Sequence, residues 1–210
     1  MNKKLIIAVV TLFLAPATYA TQNVLIGDFE LSDDGWLDHD NLIWIDDAVV
    51  MPSKYEFDNS WHTRGNWSLR ADVIGWDWFI RRDIHTDFWD NYQVEFDIHA
   101  VLQDGSSATY AGVERIALST ETNGWADIAD SSFYVDLGGA MHCVVDYSAY
   151  KTSEYANPTD NYGSIIFAYN ADAPVYLYID NIWLMVPEPA TLALLGFGGL
   201  ALLRRRKIIK

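Results

Sequence analysis

Two stretches of this chain, 67–73 and 94–102, place apolar and polar residues in turn, with Val101 the one exception. Trp67, Leu69, Ala71 and Val73 alternate with Ser68, Arg70 and Asp72, and Val94, Phe96, Ile98, Ala100 and Leu102 alternate with Glu95, Asp97 and His99. Side chains of a strand point to opposite faces in succession, so a period of two predicts half-buried strands and excludes an amphipathic helix there. Further strands are expected at 42–50, 74–81, 115–119, 132–137, 165–169 and 175–185. Asp34-Gly35, Asp104-Gly105, Asn123-Gly124 and Asn157-Pro158 supply turn chemistry between them. No segment away from the two chain ends has a convincing 3.6-residue period. Many short strands without crossover helices predict an all-β fold, an antiparallel β-sandwich or jelly roll.

The chain ends follow a different logic. Lys3 and Lys4 precede an apolar run from Leu5 to Ala15, and Thr18-Tyr19-Ala20 offers small residues before a cut, the pattern of a signal peptide covering 1–20. At the other end, Pro187-Glu188-Pro189 is followed by the apolar run 190–203 and then Arg204-Arg205-Arg206-Lys207. Fourteen helical residues reach roughly 21 Å, short of a hydrocarbon core of about 30 Å, so this is a marginal span. The basic cluster should stay on the cytoplasmic side, which places the bulk of the chain across the membrane. The expected organisation is a signal peptide, one domain over 21–186, and a tail over 187–210 with a single hydrophobic helix.

Val186 to Thr191, the Leu/Gly-rich run to Leu203 and the closing Arg204, Arg205, Arg206 and Lys207 resemble the PEP-CTERM sorting signal of Gram-negative bacteria. That resemblance implies a transient inner-membrane anchor, recognition by an exosortase-type protease, and delivery to the cell surface or an exopolysaccharide matrix. It is silent on what the exported domain does.

Without both ends, seven Lys and Arg remain against the chain's twenty-nine Asp and Glu. Nucleic acid and anionic lipid surfaces need clustered bases, so neither is a partner of this domain. Cys143 is the single cysteine and lies in an apolar run. No intramolecular disulfide is possible, and a buried, inert thiol is expected.

Two segments narrow the fold. Asn23-Val24-Leu25-Ile26-Gly27-Asp28-Phe29-Glu30 with Asp34-Gly35-Trp36, and the run Tyr176 to Leu184, resemble the opening and closing strands of galactose-binding-like jelly rolls; Asn66 to Arg70 resembles an internal strand of the same modules. The chain departs from the pattern at Ile26 and at Asn181. The resemblance implies adjacent opening and closing strands and a structural calcium near their junction. Glu30 and Asp180 are the carboxylates it nominates, calcium being a hard cation that takes oxygen ligands. The competing reading has Asp180 bonded to backbone amides.

Nine Trp and twelve Tyr exceed what one small core needs, because a buried indole or phenol must find a partner for its polar atom. Trp76 and Trp78 share one strand face, with Asp77 and Phe79 on the other. Such a pair is spaced to stack on successive sugar rings, with Asp97, His99 or Arg81 bonding hydroxyls, and Trp61 is a second exposed candidate. The opposing reading puts the pair in the core. The five histidines have no metal-ligand spacing, and no HExxH, GxSxG or phosphate loop is present. These readings predict an exported, non-catalytic protein that binds polysaccharide. A structural adhesion protein without glycan binding and a jelly-roll hydrolase or lyase stand as alternatives; exposure of Trp76 and Trp78 favours the first, their burial the second.

Overall fold

A computed structural model describes residues 23–30, 34–38, 54–152 and 154–186. The expected signal peptide, the expected strand at 42–50 and the tail from Pro187 onward lie outside the described residues. Ten strands are present there: β1 (Val24–Gly27), β2 (Trp36–Asp38), β3 (Tyr55–Asp58), β4 (Ser68–Arg81), β5 (Gln93–Leu102), β6 (Ala111–Thr120), β7 (Ala126–Asp127), β8 (Phe133–Val135), β9 (Ala140–Asp146) and β10 (Gly163–Met185). One helix, α1 (His85–Asp90), links β4 to β5. Periodicity missed that helix because six residues are too few to repeat a 3.6 period.

All strand pairings are antiparallel, and two long strands organise them. The expected strands at 67–73 and 74–81 are one strand, β4, and those at 165–169 and 175–185 are one strand, β10. Each bends where the sequence suggested a break. Gly75 takes φ +70 in β4, and opposite it the register of β10 slips between Ala171 and Val175. A left-handed φ is cheap only for glycine, so Gly75 is where β4 can turn.

The bend divides the sheet into two halves. In the first, β3, β4 (68–73), β10 (175–185), β5 and β9 lie side by side, and β1 pairs with the end of β10 through Val24↔Leu184 and Leu25↔Trp183. In the second, β2, β4 (75–81), β10 (163–171) and β6 are neighbours, with β7 and β8 beyond β6. The inner faces of the two halves pack against each other. Phe96 of the first half meets Phe167 of the second edge-on at 4.9 Å, and the hydroxyls of Tyr55 and Tyr169 bond at 2.7 Å across the same core. Trp36 is fully buried between Phe79 and Phe167, its indole N–H donating to the Ile26 carbonyl at 2.7 Å.

The opening and closing strands are adjacent, as expected. Asn181, a departure from the family pattern, has a physical reason: it takes φ +58 at the slip between Asp180 and Trp183, and asparagine tolerates the left-handed region. Its amide also donates to Asp97 at 2.9 Å, a bond that an aspartate at this position cannot make. The slip moves inward-pointing positions from Leu177 and Ile179 to Ile182 and Leu184. Cys143 is buried, and burial pushes its thiol up to about 12, which leaves it unreactive at neutral pH.

Candidate functional site

Both halves of the sheet have an outer face, and the side chains singled out in the sequence divide between them. Trp61, Asp97, His99 and Asp180 belong to the first half. There the loop from Asn59 to Trp67 folds back over the sheet. Trp61 stacks on His99 at 5.3 Å and leans on Tyr178, and its carbonyl accepts from Ser68 Oγ at 2.6 Å. Asp180 is fully buried, and its Oδ2 accepts from the Thr63 and Arg64 amides at 2.7 and 2.9 Å. Asp97 accepts from Thr63 Oγ1, from Asn181 and from His142 Nδ1, at 2.6, 2.9 and 2.7 Å. At the far end of the loop, Glu30 Oε1 accepts from the Asn66 and Trp67 amides. Those amide bonds hold the Glu30 carboxyl below its ordinary pKa, whereas burial raises that of Asp180 in spite of its amide donors.

The two carboxylates nominated for calcium are therefore loop anchors. Positive ends of N–H dipoles converge on the oxygens that a cation would take, and among the described residues no group of three or more His, Cys, Asp or Glu is placed to hold a metal. In this structure both carboxylates serve as acceptors for backbone amides, the competing reading for Asp180. Asp34 has a similar role, its Oδ2 accepting from the Asp28 and Phe29 amides at 2.8 and 2.9 Å.

The outer face of the second half has no such loop among the described residues. Trp76 is 45% exposed and Trp78 partly so, while Phe79 on the opposite side is fully buried; the pair does not fill the core. Strand register defines rows across this face. Trp76, Asn170, Gly112 and Tyr134 form one row, and Trp78, Ala168 and Arg115 the next. Leu37, Ile80, Ile166, Ala117 and Asp127 form a third. Gly112 permits the close approach of β8, because a Cβ there would lie 2.0 Å from the Phe133 carbonyl oxygen.

Aromatic rings stand on both sides of these rows. Trp125 and Tyr134 are each 41% exposed and Tyr110 is 37% exposed; Tyr110 meets Tyr134 edge-on at 5.3 Å, and Trp125 meets Trp78 at 6.1 Å. Between them lies a polar floor. Asn170 donates to Glu114 Oε2 at 2.8 Å, Arg115 pairs with Asp127 at 2.9 Å and with Glu114 at 3.6 Å, and the Trp125 indole N–H donates to Asp127 at 2.7 Å. Burial, then the nearby Glu114, raises the pKa of the Tyr134 phenol, so it stays a hydrogen-bond donor at neutral pH. The face offers flat apolar rings beside fixed donors and acceptors, the chemistry that a polyhydroxylated ring with C–H faces requires.

Trp76 and Trp78 are thus brought together, and Trp61, Asp97 and His99 are in a separate, self-satisfied cluster. Arg81 is in neither; it lies against Gly35 at the β2 edge. Sequence reasoning missed Trp125, Tyr110, Tyr134, Arg115, Glu114 and Asn170. One local signal was available, since Trp125 and Asp127 flank Ala126 just after the Asn123-Gly124 turn and must share a face.

Residues 186–207 match the PEP-CTERM protein-sorting motif, the mark of a sorted, exported chain. No curated protein sequence matches the chain. Among solved structures, the chain is similar to the C-terminal family 22 carbohydrate-binding module of Clostridium thermocellum Xyn10B, at 17% identity over 80% of this chain and 98% of that one, with a TM-score of 0.52. A family 11 carbohydrate-binding module from Clostridium thermocellum, solved with a β-1,3-1,4-mixed-linked tetrasaccharide, aligns at 14% identity over 80% and 98%, with a TM-score of 0.50. A family 28 module specific for non-crystalline cellulose aligns at 16% identity over 77% and 93%, with a TM-score of 0.50. At these identities the likeness establishes the fold, an antiparallel β-sandwich of the carbohydrate-binding-module kind.

Proposed function

We propose that the exported domain binds polysaccharide without cleaving it, through the open outer face bearing Trp76, Trp78, Trp125, Tyr110 and Tyr134. The single observation that carries this reading is the exposure of Trp76, Trp125, Tyr110 and Tyr134 on one sheet face, around hydrogen-bonding groups already locked by each other. Large rings held rigid on strands lose little entropy when a ligand stacks on them. Both carboxylates on the face, Glu114 and Asp127, are bound to the same arginine, an arrangement that fixes hydrogen-bonding geometry rather than setting a catalytic acid opposite a base. The structural neighbours are carbohydrate-binding modules, which supports the same reading.

The sorting tail gives this activity its setting. An exosortase-type protease is the partner that would recognise residues 187–207, releasing the domain to the cell surface or an exopolysaccharide matrix where a glycan ligand is at hand.

The test is titration of the full chain, purified in mild detergent, with xylan, mixed-linked β-1,3-1,4-glucan, non-crystalline cellulose and the host's own exopolysaccharide, followed by Trp fluorescence and affinity electrophoresis. Saturable binding to at least one polymer, lost in Trp76→Ala with the melting temperature unchanged, is the expected result. Binding that survives Trp76→Ala and Tyr134→Ala together would remove this face from consideration.

A further inference from the structure

Beyond the Trp78 and Trp125 rings the same outer face continues. The next row along the strands is Ser164 of β10 beside Ser119 of β6, with Arg82 just past the end of β4. A cavity of about 370 Å³ opens here, lined by Ile80, Arg82, Asp83, Ser119, Tyr162 and Ser164. That volume is within the range of about 300–1,000 Å³ typical of small-ligand sites. The 82–84 turn that forms one wall is held in place, the Ile84 amide donating to the Gly163 carbonyl at 3.0 Å. Asp83 sits in that turn at φ +57, in the left-handed region.

The chemistry of the lining is specific. Tyr162 presents a ring that is 42% exposed, Ser164 brings a hydroxyl, Ser119 brings a hydroxyl oxygen left to accept because its proton is donated to the Gly124 carbonyl at 2.6 Å, and Ile80 gives an apolar floor. Arg82 offers only donors and Asp83, when ionised, only acceptors, and as sequence neighbours their charges cancel. A ligand with net charge gains little here, whereas a ring carrying hydroxyls that both donate and accept can use every group.

We propose that this cavity is a second sugar subsite, holding one uncharged ring of the same glycan chain whose other rings lie on Trp76 and Tyr134. The proposal rests on the glycan-binding reading above. Six residues of β4 separate Trp76 from Arg82, which at about 3.3 Å per residue is about 20 Å. A disaccharide cannot bridge that distance, and a chain of several linked rings can. The cavity therefore makes the protein a reader of chain length, with the Trp78 and Trp125 rings as the ridge between its two subsites.

The experiment is isothermal titration of the full chain in mild detergent with mixed-linked β-1,3-1,4-gluco-oligosaccharides and xylo-oligosaccharides, from disaccharide to hexasaccharide. Wild type should bind the longer members more tightly than the disaccharide by about tenfold, one well-placed subsite's worth. Tyr162→Ala and, separately, Arg82→Ala should abolish that gain while leaving disaccharide binding unchanged; both residues are exposed, so the fold is not at stake. Trp76→Ala should weaken every length. If wild type gains affinity with length and neither variant removes the gain, the second subsite is refuted and the aromatic face stands. If wild type binds no member of either series, the subsite as a site for these sugars is overturned, and the glycan reading falls with it only when none of the four polymers binds either.

Discussion

The two outer faces of this sheet are made by the same two strands, yet they have opposite fates. Over Val175–Met185 of β10, the face is sealed by the chain's own loop, and each carboxylate that anchors it is satisfied by amides or hydroxyls. Over Gly163–Ala171, the face is left with exposed indoles and phenols around an Arg–Asp–Glu–Asn network. Aromatic content does not separate them, since Trp61, Tyr178 and Trp183 are on the first and Trp76, Trp78 and Trp125 on the second. What separates them is how much of the ring surface is left in water. Trp61 has His99 to stack on and Trp183 has the Arg64 guanidinium 5.0 Å from its ring, whereas Trp76 has nearly half its surface in water. The covered face is structural, and the face that is exposed among the described residues is the one proposed to take a ligand.

This contrast is broken most severely through Asp180. Asp180→Ala leaves the partly buried amides of Thr63, Arg64 and Asn181 without their acceptor, and at the lower end of about 1–3 kcal/mol for each unsatisfied donor a loss of about 3 kcal/mol in chemical denaturation is expected. Trp61 emission should shift toward that of an exposed indole at the same time. Glycan affinity at the open face should be untouched once the protein is folded; a parallel loss would mean that the two faces are coupled through β10. The reciprocal change is Trp76→Ala, expected to cost about 2 kcal/mol of glycan binding, roughly thirtyfold, as for an interface hot spot. Its stability, read by thermal melting, should stay within about 0.5 kcal/mol of wild type, because an exposed ring supports little of the core.

A smaller effect sharpens the contrast by pH. Amide bonds from Asn66 and Trp67 lower the Glu30 pKa, so the stability this group lends is present above the ordinary glutamate value of 4.5 and is lost as pH falls through the lower folded value. Asp180 has the opposite sign. Burial raises its pKa, so protonation at low pH favours its folded state and the cost of ionising it appears as pH rises through the folded value. The Glu30 end of the loop should thus open first in acid. Limited proteolysis between Trp61 and Trp67 should increase below pH 4.5 in wild type, and Glu30→Gln should flatten that dependence; cleavage independent of pH in wild type would discount the Glu30 anchor. The smallest expected effect is that of calcium. A ligand that does not bind the folded state does not raise its melting temperature, so chelator and calcium should give midpoints within about 1 °C of each other. A rise of several degrees would restore Glu30 or Asp180 to a metal shell.

Period two in the sequence was enough to assign β4 and β5 and to put Trp76 and Trp78 on one side with Phe79 on the other, because alternation is a property of the strand itself. The opening and closing segments were legible for a related reason: their residues match a pattern tied to strand pairing, and β1 does lie against the end of β10. The length of β4 and β10 was not legible. The expected division after Val73 and the gap between 169 and 175 are a bend near Gly75 and a register slip within single strands, because a bent strand can continue through such positions when its neighbours hold both parts.

By itself the sequence determined an acidic all-β domain, the sorting motif at the chain's end, the inert Cys143 and the sharing of a face by Trp76 and Trp78. Tertiary structure alone decided that this face is an outer one, that Trp125, Tyr110 and Tyr134 arrive beside it from the loops before β7 and β6 and from β8, and that the loop carrying Trp61 folds over Asp97 and His99. The physical reason is the reach of the information. Alternation and turn chemistry act over a few residues, whereas burial of a face depends on which distant segment comes to lie on it, and that is fixed only when the whole chain has packed.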